Sequence, residues 1–168
     1  MTTGTLISLE EYLASTYEPD CDYVDGHLEE RNLGERQHSK LQKRILVYLH
    51  THYEQAGIEV YPELRVQVKP TRFRVPDLCL TLGDPGEEIL THPPFLCIEI
   101  LSPEDRMSRV ETRINDYLAM GVRYVWVLDP ETRQAFIATA AEGWREVKSG
   151  LLSTDGPRVE LPLAEAFR

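Results

Sequence analysis

The chain has 168 residues, 42% hydrophobic and 27% charged, which is apolar enough for one ordinary core and too apolar for disorder. Its net charge of −10 argues against tight nonspecific nucleic-acid binding, which draws on a basic surface, and confines any such contact to a local patch or to bound cations. No apolar run approaches bilayer length, the start has neither the basic nor the apolar region of a secretory signal, and Cys21, Cys79 and Cys97 lack CxxC spacing, so the expectation is a cytoplasmic protein with reduced thiols.

Ser8 followed by Glu11 is a capping-box pattern and predicts a short helix over 8–15. Asp25-Gly26, between Cys21–Val24 and His27–Glu30, predicts a hairpin with a type I′ turn, closed by Asn32-Leu33-Gly34. Residues 36–55 read as a helix with Leu41, Ile45, Tyr48, Leu49 and His52 on one face, His38 extending that face at its start, and Gly57 ending it. Ile58 to Lys69 alternates as one strand, stopped by Pro70. Two apolar runs follow, Arg74–Leu80 and Phe95–Leu101, separated by a Gly/Pro-rich loop and each carrying one carboxylate, Asp77 or Glu99. A helix is expected next, with an apolar stripe of Met107, Val110, Ile114, Tyr117 and Leu118 beside a basic row of Arg106, Arg109 and Arg113, and Gly121 as its stop. Strands over Val122–Leu128, Gln134–Thr139 and Trp144–Val147 complete a single mixed α/β domain spanning 1–168.

Asp77 and Glu99 are the sharpest chemical signal. A buried strand excludes an ionised carboxylate unless it is paired or holds a metal, and strand parity puts Asp77 with Val75 and Cys79, and Glu99 with Cys97 and Leu101. On neighbouring strands the two acids could converge on one hard divalent cation such as Mg²⁺. The same residues allow a plainer reading, with Asp77 capping a turn after Pro76 and Glu99 paired to an arginine. His38 suits a carboxylate partner, a phosphate contact or a base, but also an ordinary polar helix start. In the arginine row, Arg113 lies four residues before Tyr117 and is the member expected to point inward. No P-loop, dinucleotide fingerprint or nucleophile elbow is present.

Taken together, Asp22-Tyr23-Val24-Asp25-Gly26-His27-Leu28, His38 opening a helix, Val75-Pro76-Asp77, Cys97-Ile98-Glu99-Ile100-Leu101-Ser102-Pro103 and Tyr117–Pro130 resemble the PD-(D/E)xK nuclease superfamily, and within it a bacterial family of restriction-endonuclease-like proteins. The resemblance spans nearly the whole chain, and its specificity lies in the order and spacing of the motifs. It implies an α+β restriction-endonuclease-like core, a central mixed sheet flanked by helices, preceded by the N-terminal helix and hairpin. It also implies a Mg²⁺- or Mn²⁺-dependent endonuclease acting on DNA. Asp77 and Glu99 would be the metal carboxylates and the Ile100 carbonyl a further ligand, His38 would be the family's helix-start histidine, and Tyr117 and Asp22 would be second-rank residues. Asp22 stands where relatives often have glutamate. The superfamily's lysine, two residues after the second carboxylate, is replaced by Leu101, and the position to which this family moves it is Arg113, which can stabilise phosphoryl charge but not shuttle a proton. Analogy adds a homodimer with transient DNA contact and no membrane association. The alternatives are a catalytically weak or inactive nuclease-fold module for interaction or dimerisation, and a hydrolase of a small phosphoester.

Overall fold

The computed structural model describes residues 4–32 and 34–168, so Leu33 of the expected loop lies outside the described residues. The first helix, α1 (Leu9–Ala14), starts where expected, with the Ser8 side chain accepting the Glu11 N–H at 3.1 Å. Its buried residue, Tyr12, stacks on Tyr23 at 4.9 Å and meets Phe73, so a short helix is held by aromatic packing rather than by its own propensity. The hairpin β1 (Cys21–Val24) and β2 (His27–Glu30) turns through Asp25 at φ 50° and Gly26 at φ 93°, the left-handed pair that a type I′ turn requires.

Helix α2 (Arg36–Tyr53) buries Leu41, Ile45 and Leu49, each worth roughly 2 kcal/mol on removal from water. Tyr48 is half-buried, but His52 is exposed and stacks on Tyr48 at 4.0 Å, so the inward face is narrower than its apolar spacing predicts. A single 3₁₀ turn over Glu54–Ala56 and Gly57 at φ 77° end the helix. The expected strand over Ile58–Lys69 is two strands: β3 (Ile58–Pro62) and β4 (Val66–Lys69) belong to different sheets, and Glu63 at φ 52° breaks them apart. Similarly, the run Arg74–Leu80 is divided between β5 (Arg72–Arg74) and β6 (Leu78–Leu82), with Asp77 in the crossing between sheets rather than inside a strand.

The second apolar run forms β7 (Leu96–Ile100), and α3 (Met107–Met120) follows, ended by Gly121 at φ 113°. Met107, placed in the apolar stripe by its spacing, is half exposed at the first turn. The chain continues through β8 (Tyr124–Asp129), β9 (Gln134–Thr139), β10 (Gly143–Glu146), β11 (Leu151–Ser153), β12 (Glu160–Pro162) and the short α4 (Leu163–Ala166). The main sheet has the order β10-β9-β8-β7-β6-β3 and is antiparallel except for β7 beside β8, the parallel pair that α3 connects. A second sheet, β2-β1-β5-β4, and a small β11-β12 pair complete the strands.

Alternation along β6 and β7 sorts the core into two layers. Leu78, Leu80, Leu96, Ile98 and Ile100 pack with Leu41, Ile45 and Leu49 of α2. Cys79 and Cys97 face the other way, among Val110, Ile114 and Tyr117 of α3 and Val66 and Val68 of β4. The fold is a mixed α/β architecture with a central mixed sheet between helices.

Candidate active site

The antiparallel register of β6 and β7 pairs Leu78 with Ile98 and Cys79 with Cys97, which sets Asp77 and Glu99 side by side at the α2 N-terminal end of the sheet. Both are buried, at 2% and 3% exposure. Asp77 is fully engaged: Oδ2 accepts the Ile100 N–H at 2.7 Å, while Oδ1 meets Arg31 at 2.5 Å and His38 Nε2 at 3.2 Å. Its own carbonyl accepts from Gln42 of α2 at 3.0 Å, which ties the crossing to that helix. Glu99 is less well supplied. Tyr117 donates its phenol proton to Oε1 at 2.6 Å, but the nearest cation at Oε2 is Arg113 Nε at 3.7 Å, beyond hydrogen-bond reach.

The two acids therefore titrate apart. Burial opposes ionisation of Asp77, but the His38 hydrogen bond, the Arg31 charge and the Ile100 N–H outweigh it and hold its carboxyl below the usual range. Burial pushes Glu99 up to about 7, against the pull of Arg113 and with the Asp77 charge adding to the rise. For His38 burial works downward, and the hydrogen bond and charge of Asp77 win, raising its pKa.

Above the carboxylates lies a cavity of about 20 Å³, lined by Arg31, Asn32, His38, Ser102, Asp105 and Arg113 besides the acids and Ile100. That is room for one water-sized species. It adjoins a groove of about 590 Å³ that shares His38, Ser102 and Asp105 and opens between the α2 N-terminus, the β7–α3 loop and the β8–β9 turn. Two buried polar atoms at the cleft, Nδ1 of His38 and Nε of Arg113, have no hydrogen-bond partner. Among the described residues no three or more His, Cys, Asp or Glu side chains are grouped as a metal site. A cation here would have two carboxylates, with carbonyl oxygen and water completing its shell, which is how Mg²⁺ is commonly held. Hard oxygen donors, an underneutralised Glu99 and a one-ion cavity fit such a cation, provided that Arg31 yields its place on Asp77 Oδ1.

Of the residues singled out by sequence, Asp77, Glu99, Ile100, His38, Arg113 and Tyr117 meet at this cleft. Arg106 and Arg109 are exposed, which leaves Arg113 the member of its row that turns inward. Asp22 lies behind, its Oδ1 accepting the Val75 N–H at 3.0 Å and its Oδ2 held by Arg74 at 3.0 Å, so it braces the approach to Asp77 with both oxygens spent. Sequence reasoning missed Arg31, Asn32 and Asp105. Asn32 donates to Asp105 Oδ1 at 3.1 Å, and Arg113 lies 3.4 Å from the same oxygen, so the hairpin exit and the approach to α3 close one rim together. The signal for Arg31 was faint: it is the cation that follows Glu29-Glu30, at the start of a loop.

Over residues 9–167 the chain matches the family Uma2, described as "Putative restriction endonuclease". The chain belongs to that family. A solved structure, "a putative nuclease belonging to DUF820 from Anabaena variabilis ATCC 29413", superposes with a TM-score of 0.82 at 21% identity, covering 96% of this chain and 97% of the other. At that identity the likeness establishes the fold, a nuclease fold. No curated protein matches the chain in sequence. No helix among the described residues is long and apolar enough to cross a membrane.

Proposed function

We propose that this Uma2 protein is a Mg²⁺- or Mn²⁺-dependent endonuclease that hydrolyses DNA phosphodiester bonds, with the cation held by Asp77, Glu99 and the Ile100 carbonyl. When bound, the cation supplies Lewis-acid charge and a more acidic water. The rest falls to the chain's own residues. Arg113 stays charged at any working pH and lines the cleft beside Glu99, so its part is charge stabilisation. His38 holds Asp77 ionised through Nε2. Tyr117 fixes the carboxylate plane of Glu99. Three free, buried thiols suit the cytoplasm, and a homodimer would supply two cuts to a duplex.

The observation that carries this reading is the pair of buried, unequally titrating acids around a cavity of one-ion size. Asp77→Ala should reduce Mn²⁺-dependent nicking of supercoiled plasmid by at least about 100-fold, as loss of a principal charge-stabilising group does. Undiminished nicking by a pure preparation of that variant rejects the assignment.

A second reading, a weak or inactive nuclease-fold module for interaction or dimerisation, is favoured by Arg31 and His38 already closing on Asp77 and by Leu101 where the superfamily has lysine. Calorimetry separates the two. Mn²⁺ binding that disappears in Asp77→Ala supports the enzyme, and absence of carboxylate-dependent binding in the unaltered protein supports the module.

A further inference from the structure

The charge of this molecule is unevenly placed. Asp and Glu number 28 in 168 residues, yet the 18 residues of α2 contain none. The helix carries Arg36, Lys40, Lys43 and Arg44 instead, at spacings of four, three and one that put them on a single stripe about opposite the buried Leu41, Ile45 and Leu49. Arg36, Lys40 and Lys43 are exposed and have no carboxylate within ion-pair distance among the described residues. Arg133, in the β8–β9 turn, faces the same side and completes a groove of about 210 Å³ lined by Arg36, Lys40, Arg44, Arg133 and Arg168, with no acidic side chain in its lining. This groove shares Arg36, Gln37 and Pro130 with the larger one that opens onto the carboxylate cleft, so the basic stripe runs directly out of the cleft's mouth. The mouth also carries acids, Glu35 at the α2 N-cap and Asp129 and Glu131 at the β8–β9 turn, so the cationic lining lies further along α2.

The geometry points to the outer face of α2 as the track for the phosphodiester backbone of a DNA substrate, with Arg36, Lys40 and Lys43 as phosphate contacts along the strand leaving the cleft, while Arg44 is half-buried and donates to the Arg168 carbonyl. This assignment rests on the nuclease reading for its substrate and adds the direction from which the strand approaches. It also suggests how a chain of net charge −10 can engage a polyanion: three exposed cations on a helix that has no acid of its own act locally.

The test uses the triple variant Arg36→Gln/Lys40→Gln/Lys43→Gln, whose side chains are exposed and outside the catalytic cleft. Anisotropy of a labelled duplex of about 20 base pairs, titrated without divalent ions across a salt series, should show about tenfold weaker binding and a log–log salt slope shallower by about 2.7, near 0.9 per lost phosphate contact. Turnover of a chromogenic small phosphodiester should stay unchanged, and Asp77→Ala should keep the full salt slope. An unaltered affinity and slope in the triple variant overturns the track, as does binding of the unaltered protein to phosphatidylglycerol vesicles and not to the duplex. If the unaltered protein binds the duplex with the steep slope but cleaves neither duplex nor small ester, the nuclease reading falls and the track stands.

Discussion

Two clusters of buried charge lie a few residues apart in sequence and are built differently. The first surrounds Arg74, which is 1% exposed. Its Nε meets Asp116 at 2.9 Å, its terminal nitrogens meet Asp22 at 3.0 Å, Glu29 at 2.8 Å and Asp116 at 2.8 Å, and none of its nitrogens is left without a partner. The second surrounds Asp77 and Glu99, where one acid is held tightly, the other is pushed up to about 7, and two polar atoms are unpartnered beside a cavity. A saturated cluster ties elements together, here β1, β2, β5 and α3. An undersaturated cluster keeps binding capacity for something that arrives. The contrast is between Asp22, whose two oxygens are both hydrogen-bonded, and Glu99, whose Oε2 is not, though both lie among apolar neighbours and burial raises the pKa of both.

The largest expected effect comes from breaking the saturated cluster. Arg74→Met leaves Asp22 and Asp116 buried without their shared cation and should cost roughly 3–5 kcal/mol in urea unfolding. A loss under about 1 kcal/mol would mean that the cluster relaxes to water, and the contrast with the cleft would dissolve. Next is the undersaturated acid. Because burial raises Glu99 above its unfolded value, the folded state binds the extra proton between pH 4.5 and about 7, so the contribution of Glu99 to stability is full below 4.5 and is lost as pH rises through about 7. Glu99→Gln should therefore stabilise the metal-free protein at pH 8 by roughly 1–3 kcal/mol, a gain that fades toward pH 5, while removing Mn²⁺ binding. Destabilisation at pH 8 would show that Tyr117 and Arg113 satisfy the ionised Glu99 in full. The smallest effect sharpens the comparison. Arg31→Ala removes the closer of the two partners on Asp77 Oδ1, leaving His38, and should tighten Mn²⁺ binding by calorimetry about tenfold, near 1.4 kcal/mol, whereas weaker binding would make Arg31 part of the site's frame rather than a competitor for it.

Local physics made much of this visible in the sequence. The I′ hairpin, the Ser8 cap, the apolar faces of α2 and α3 and the glycine that stops each are written within a few residues of where they act. The division of Ile58–Lys69 is not, because alternation runs on through Glu63-Leu64-Arg65 while the partner strand changes from β6 to β5. The pairing of Asp77 with Glu99 was readable as two acids in apolar runs. The same logic applied to Asp22, between Cys21 and Tyr23, and to Arg74, between Phe73 and Val75, would have matched opposite charges buried in adjacent strands. Their partnership spans 52 residues, and Arg31 reaches Asp77 across 46, distances at which no spacing rule operates.

The reach of Arg74 has a consequence for how the molecule is made. Its anionic partners come from the hairpin, before it in synthesis, and from Asp116, which leaves the ribosome long after it. A nascent chain halted short of residue 116 offers this guanidinium Asp22 and Glu29 but not Asp116, while Phe73 of β5 already has Tyr12 and Tyr23 to pack on. The charge set around Arg74 is thus complete only once α3 has reached it.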